Sequence, residues 1–483
     1  MTEPGNGAKS GDDNKIAIAW FRRDLRMHDN PALAAACTAA EVVPVFCFER
    51  GLHSGRHASA GRNAYLLASL RELDEALRAA GSRLHYRSGD PAVQITRLAL
   101  QASAATVHVN RDHTVHSRNR DRRVQEALAE HGVELRGHTG ISCAEIAAIE
   151  AGSGGPYRVF TPFYKAWARA PRRDLAPRPR TIQSPAGVKA GRLPSERALG
   201  IGAEAKRIAE EFGSGEAAAR QRMSAAVESA DDYHRVRDLA GEDATTRLSP
   251  HLHFGTVSAR ELERKLLDRG SKGALELRRQ IAWRDFWLNV IRNFPENRTK
   301  PYDTRMRGLR WRRSERDLEA WKQGRTGVPW VDAGMRQLAA EGWMHNRVRM
   351  AVASYLTKNL WLDWRQGESH FMALLLDGDE SQNNGNWQWA ASIGADPQPY
   401  FRVFNPVRQQ RKFDPDGVYV RRWVPELRAL PDKHLAEPWE APEQVQREAG
   451  CVIGDDYPEP LVDLRESRAE AIERFKQQRE RSS

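Results

Sequence analysis

The residues best equipped for chemistry lie in two stretches about thirty positions apart. GWMHNRVRM (342–350) carries His345, Asn346, Arg347 and Arg349, and LLLDGDESQNNGNWQWAASIGADPQPYFRVFNP (374–406) carries Asp377, Asp379, Asn383, Trp387 and Trp389. Charged groups set beside apolar runs must be paired when buried, so Arg349 and Asp377 are expected to form an ion pair. Trp387 and Trp389 would share a face on a strand but diverge by about 200° on a helix, where each ring would meet different neighbours and could do a different job. Upstream, Thr245-Thr246-Arg247-Leu248-Ser249-Pro250 sets hydroxyls and backbone amides ahead of the helical run SARELERKLL. Unpaired N–H groups and the helix dipole favour an anion at such a place, so the segment suits a phosphate, or equally a simple N-cap.

Composition narrows the ligands. Lys+Arg of 75 against Asp+Glu of 64 gives +11 over 483 residues, a field that attracts polyanions such as nucleic acid. Of fourteen tryptophans, Trp20 and Trp167 come early and twelve lie between Trp283 and Trp439, enough aromatic surface for a large core or for stacking on flat ligands. Cys37, Cys47, Cys143 and Cys451 stand far apart with no CxxC, which argues against a disulfide framework and against a metal site. No apolar run reaches the roughly 20 residues that span a bilayer, and the polar first fourteen residues lack a signal-peptide core. A cytoplasmic protein without a membrane span is expected.

These groups need elements to hold them. IAIAWF (16–21), VVPVFCF (42–48), LHYRS (84–88), TVHVN (106–110) and VELRGH (133–138) are short β-rich runs alternating with helical patterns such as 64–80. That alternation predicts a doubly wound, mostly parallel α/β sheet with a ligand crevice beyond the carboxyl ends of its strands. No GxGxxG follows the first strand, and GIGAEA (200–205), which follows no strand pattern, is discounted as a loop. Residues 1–14 read as a disordered lead-in, 15–144 as the α/β domain, 145–215 as a Gly/Pro/Ser-rich connector and 216–483 as an all-α domain.

FRRDLRMHDNPAL (21–33), VFTPFYKAW (159–167), TRLSPHLHFGTVS (246–258), GWMHNRVRM, DWRQGE (363–368), NNGNWQWAAS and YFRVFNP together resemble the photolyase/cryptochrome family, from about residue 15 to about 440. The likeness is greatest to the bacterial class I type of cyclobutane pyrimidine dimer photolyase. The resemblance implies an antenna domain, a linker and a helical domain holding FAD, and with them a monomeric carbon–carbon lyase that repairs UV-damaged DNA under blue light. It implies that Tyr233, Thr245, Thr246, Arg247, Leu248 and Ser249 line the phosphate side of the flavin, and that Asn346, Arg349, Asp377, Asp379 and Asn383 surround the rest. Trp283 and Trp389 would wall the pocket for a flipped-out dimer, completed by Gln280, Arg284, Asn346, Arg347 and Met350. Trp387, Trp364 and Trp311 would carry electrons from the surface to the flavin.

Departures from the pattern bear on the subtype. Gln280 stands where the cyclobutane-dimer enzymes carry Glu; its amide can donate to a pyrimidine carbonyl but cannot carry charge. Asn346 and Met350 stand where (6-4) photolyases place two histidines, and Asn383 is the photolyase residue beside the flavin N5. Ser117 replaces the Glu of folate-binding members, which leaves the second chromophore open among a deazaflavin, another flavin, methenyltetrahydrofolate or none. The rival expectations are a blue-light photoreceptor without repair and a (6-4) photoproduct enzyme.

Overall fold

The computed structural model describes residues 15–55, 58–152, 154–395 and 403–482. The expected lead-in (1–14) and part of the YFRVFNP motif lie outside them. Contacts divide the chain into two units: one made of residues up to Ile146 with Pro171–Met223 and Leu248–Lys265, the other of Ala147–Ala170, Ser224–Arg247 and Leu266–Ser483.

In the first unit β1 (Ile16–Phe21), β2 (Glu41–Phe48), β3 (His85–Ser88), β4 (Ala104–Asn110) and β5 (Glu134–His138) form one parallel sheet in the order β3-β2-β1-β4-β5. The strands are apolar on both faces because helices cover both, as the near-continuous burial of Ala17–Phe21 and Val42–Phe48 shows. Helices Ala60–Ala79, Pro91–Ala102 and Val115–Ala129 make the crossovers, each started by a side-chain cap from Ser59, Asp90 or Thr114. Ile18, Val43, Val45, Val107, Ile95, Leu98, Val124 and Leu128 join in one core cluster.

The stretch expected as a connector is divided between the units. Helix Phe160–Arg169 belongs to the second, whereas 171–223 belongs to the first and lies along its sheet: Gln183 accepts from Val42 N at 2.7 Å and Ala190 from Tyr86 N at 2.6 Å. GIGAEA turns at Gly200 and enters helix Ala203–Phe212 with no strand before it.

The second unit contains no strand among the described residues. Helices Pro329–Glu341, Asn346–Ser354, Trp364–Leu374 and Glu380–Ala390 pack around buried Trp321, Trp330, Val348, Val352, Trp364 and Trp387, and helix Lys272–Asn293 lies against Glu380–Ala390. Two glycines permit the closest approaches. A Cβ at Gly367 would stand 2.1 Å from the Trp387 ring, and one at Gly385 would stand 2.2 Å from the Trp287 ring. Helix Asn346–Ser354 runs into one turn of π-helix, Tyr355–Asn359, a local widening found often at functional sites. No described helix is long and apolar enough to cross a membrane.

Candidate functional site

Helix Pro329–Glu341 stops at Gly342, whose φ of +61° suits a residue without Cβ, and the chain turns into helix Asn346–Ser354. Arg349, one turn in, is tied down three ways. Its Nε donates to the Met344 carbonyl at 2.8 Å, and its two Nη atoms reach the Asp377 carboxylate at 3.1 and 2.9 Å. The fork-on-carboxylate geometry sets the plane of both groups. The expected Arg349–Asp377 pair is therefore present, with Asp377 buried.

Asp379 caps helix Glu380–Ala390, accepting from Gln382 N at 3.0 Å and from the Ser381 hydroxyl. Asn383 and Trp387 follow at four-residue steps, so the three share one helix face. Glu368 braces that face: its carbonyl accepts from Asn383 Nδ2 at 2.9 Å and its carboxylate from Asn384 Nδ2 at 3.0 Å. Asn383 thus turns its amide nitrogen inward, and its Oδ1 has no partner among the described residues. On this helix the two tryptophans do diverge. Trp387 is buried against Phe371 (centroids 5.0 Å apart) and Trp321 (6.1 Å), while half-buried Trp389 lies 6.1 Å from Phe404 with its Nε1 unpartnered.

The hydroxyl segment reaches the same neighbourhood through Arg247. This residue holds a left-handed φ of +47°, pairs with Asp243 at 2.8 Å and Glu341 at 3.2 Å, and lies 4.4 Å over the ring of Trp343. Thr245 Oγ1 is buried without a partner, a cost of about 1–3 kcal/mol that a polar ligand would remove. Tyr233, at the start of helix Tyr233–Val236, is half-buried with Arg237 5.8 Å from its ring. Leu248 and Ser249 group with the first unit, Leu248 buried and Ser249 exposed. The helix that follows directly is Ser249–Phe254, which has no side-chain cap, rather than SARELERKLL.

Gln280, Trp283 and Arg284 occupy one turn of helix Lys272–Asn293. Trp283 is stacked on Phe160 at 3.7 Å and 6°, so one face is backed by protein while the residue stays half-buried. The Arg284 carbonyl accepts from Gln382 Nε2 at 3.0 Å, which joins this helix to Glu380–Ala390. Gln280 has only a long 3.4 Å contact to the Glu276 carbonyl. Arg347 pairs with Asp238 at 2.6 Å and lies 4.8 Å from the Phe413 ring; Asn346 is exposed and contacts the Met350 sulfur at 3.7 Å. His345 caps the helix through Nδ1, accepting from Arg347 N at 3.2 Å, which leaves Nε2–H to donate to the Arg237 carbonyl at 3.1 Å. Burial pulls its pKa down to about 4.

Trp364 and Trp311 are not brought into ring contact with Trp387 or with each other. Trp364 is fully buried, and half-exposed Trp311 lies instead against Trp361 at 5.2 Å. Sequence reasoning missed Glu368, Asp238 and Trp343. Glu368 closes the DWRQGE motif and Trp343 lies within GWMHNRVRM, signals that could have nominated both; Asp238 acts through tertiary contacts.

At the strand ends of the first unit the charges pair with one another, with Arg22 Nε left without a partner among the described residues. Arg120 Nη1 meets Glu49 at 2.7 Å, His116 meets the same carboxylate at 3.0 Å, and Asp121 accepts from Arg120 at 3.1 Å and from Arg22. Arg22 and Arg120 both lie about 5 Å from the ring centre of Trp20. Burial alone would raise the pKa of Glu49, but hydrogen bonds from His116 and Arg120 with the charge of Arg120 hold it at about 2. Ser117 gives its hydroxyl to Asp112 at 3.1 Å.

A doubly wound sheet followed by a helical unit with a braced Arg–Asp–Asn cluster is the build of a flavin-binding light enzyme, and two family models match accordingly. "DNA photolyase" covers 17–182, and "FAD binding domain of DNA photolyase" covers 277–477. The chain is 42% identical to the deoxyribodipyrimidine photo-lyase of Streptomyces griseus, over 94% of this chain and 98% of that protein. A bacterial class III photolyase from Agrobacterium tumefaciens superposes with a TM-score of 0.90 at 35% identity, covering 98% of this chain and all of that one. An archaeal photolyase from Sulfolobus tokodaii, solved with two FAD molecules, gives 0.81 at 32% identity, covering 96% and 100%. The chain belongs to the DNA photolyase family.

FAD fits the residues present. The Thr245 hydroxyl and Asn383 Oδ1, unpartnered among the described residues, supply hydrogen-bonding positions, and the Arg349–Asp377 pair of the same unit supplies a fixed ion-pair dipole.

Proposed function

We propose that the protein repairs cyclobutane pyrimidine dimers in DNA under blue light, with FAD held by the helical unit. The observation that carries this reading is that one helical unit holds the braced Arg349–Asp377 pair, the braced Asn383 amide and polar atoms left without a partner among the described residues. When bound, reduced FAD supplies one electron under light, which splits the dimer and returns.

The chain's own residues bind and orient. Thr245, Thr246 and Arg247, with Tyr233, Leu248 and Ser249, serve the phosphate side. Arg349, Asp377 and Asp379, with Asn346, hold the remainder, and Asn383 offers an acceptor to a ring N–H, which favours the reduced cofactor. Trp283, backed by Phe160, and Trp389 are the stacking walls for a flipped-out dimer. Arg284 and Arg347 take backbone phosphates, Met350 fills the apolar side, and the Gln280 amide donates to a pyrimidine carbonyl without adding charge. Trp387 and Trp364 are buried and Trp311 is half-exposed, which suits electron supply from the surface end. The same reading makes the protein a monomer working in the cytoplasm, which equilibrium sedimentation and cell fractionation test.

Trp283→Ala and Trp389→Ala test the pocket. Each is expected to weaken binding to a dimer-containing oligonucleotide by about 10- to 100-fold, the worth of one stacking platform, with flavin content unchanged. Unchanged lesion affinity in both variants would overturn the assignment.

A further inference from the structure

The tryptophan series does not end at Trp311. The ring of Trp361 lies against Trp311, centroids 5.2 Å apart at 40°, and Phe475 of helix Leu464–Arg481 meets its other side edge-on at 5.6 Å. Arg474, on the same helix, sets its guanidinium 4.9 Å from the Trp361 ring centre while pairing with Glu470 at 3.0 Å. Trp361 also holds a φ of +55°, a region that bulky residues rarely enter and that surrounding contacts must impose. Those contacts are visible. Its Nε1 donates to the Arg310 carbonyl at 2.8 Å, and its own carbonyl accepts from Arg312 N at 2.9 Å.

We propose that Trp361 is a fourth redox-active indole that shares the oxidising equivalent with Trp311, and that Arg474 sets the share. The proposal rests on the reading of Trp387, Trp364 and Trp311 as an electron series. With FAD bound and oxidised, light would draw one electron from Trp387. Trp364 refills Trp387, Trp311 refills Trp364 and Trp361 refills Trp311, until a soluble thiol returns one electron to the outer pair.

The two outer indoles differ in how they hold the vacancy. An oxidised indole is a strong acid at its N–H. Trp311 is half-exposed and can release that proton to water, whereas Trp361 is 6% exposed with its N–H tied to a carbonyl, so it stays a protonated cation. A guanidinium over a ring stabilises the neutral indole and repels the oxidised one. Arg474 therefore pushes the vacancy toward Trp311.

Time-resolved absorption after a blue flash on the flavin-loaded protein separates protonated from deprotonated tryptophan radicals. Arg474→Gln is expected to raise the protonated share by about threefold, the size of an exposed cation–π contact. Trp361→Phe is expected to remove that share and shorten the radical lifetime, and the double variant is expected to match Trp361→Phe. Arg474 is a partly exposed surface residue, so its variant tests the proposal even if Trp361→Phe folds poorly. Trp387→Phe separates the two ideas. If it leaves radical formation intact, the series itself fails; if it abolishes radicals while Arg474→Gln matches the wild type, Trp361 has no part and the proposal falls.

Discussion

The two units treat buried charge in opposite ways. At the strand ends of the α/β unit, Glu49, His116, Arg120, Asp121 and Arg22 close a network in which each carboxylate meets a cation from its own unit. In the helical unit Arg349 and Asp377 are as firmly paired, yet Thr245 Oγ1 and Asn383 Oδ1 of the same unit have no partner among the described residues. The α/β network leaves two donors, Arg22 Nε and Trp20 Nε1, without a hydrogen-bond partner among the described residues, whereas the helical unit leaves a hydroxyl and an amide oxygen, which can accept from a ligand. Both are ion pairs at about 2.7–3.1 Å, so distance alone does not separate structural charge from functional charge. The kind of polar atom left without a partner does.

The sharpest way to break this contrast is Arg349→Ala. It leaves the Asp377 carboxylate buried and unpaired, and about 3 kcal/mol, some two orders of magnitude in flavin affinity, is the expected loss. Flavin absorbance per protein after gel filtration reads it; full retention would place the cofactor's anchor elsewhere. Within the helical unit, Trp387→Phe is expected to slow photoreduction by about tenfold or more while repair by chemically reduced protein persists. Equal photoreduction in wild type and variant would remove Trp387 from the electron path.

Glu49→Gln is the counterpart in the α/β network. It is expected to lower stability by about 1–3 kcal/mol in urea unfolding while flavin content and repair stay unchanged. Loss of flavin in this variant would erase the distinction between the units.

The smallest effect is a pH slope. His345 titrates at about 4 in the folded protein and near 6.5 unfolded, so its stabilising contribution is complete above about pH 6.5 and is lost as pH falls toward 4. The slope from this one residue reaches at most about 1.4 kcal/mol per pH unit in that window. Glu49, depressed to about 2, adds its own loss only below about pH 4. Melting temperatures between pH 7.5 and 4.5 should fall less steeply in His345→Asn, which keeps a capping acceptor but has no titrating ring. An unchanged slope would assign the acid sensitivity to other groups such as His251, held at about 3 by burial.

The five strands were legible because β-rich apolar runs alternate with helical ones, and each expected run falls on an observed strand to within a residue or two. The Arg349–Asp377 pair was legible too, since two opposite charges near apolar stretches have few ways to be satisfied. The roles of Glu368 and Asp238 were not, because a hydrogen bond between distant positions leaves no periodicity. The placement of 171–223 along the sheet escaped for a related reason: its Pro- and Gly-rich composition reads as a tether, while its backbone hydrogen bonds to Val42 and Tyr86 are independent of side chains. The resemblance alone set Trp364 between Trp387 and Trp311; the indoles in ring contact with those two are Trp321 and Trp361, which no motif singled out.

The central claim is light-driven repair of cyclobutane dimers by this chain with FAD. It is tested most directly by illuminating the reduced, FAD-loaded protein with blue light on two oligonucleotides, one carrying a cyclobutane thymine dimer and one a (6-4) lesion, beside a dark control. Repair of the dimer alone, and only in the light, is the predicted result and would also show that Gln280 suffices. Repair of neither lesion by protein with bound, photoreducible FAD would contradict it.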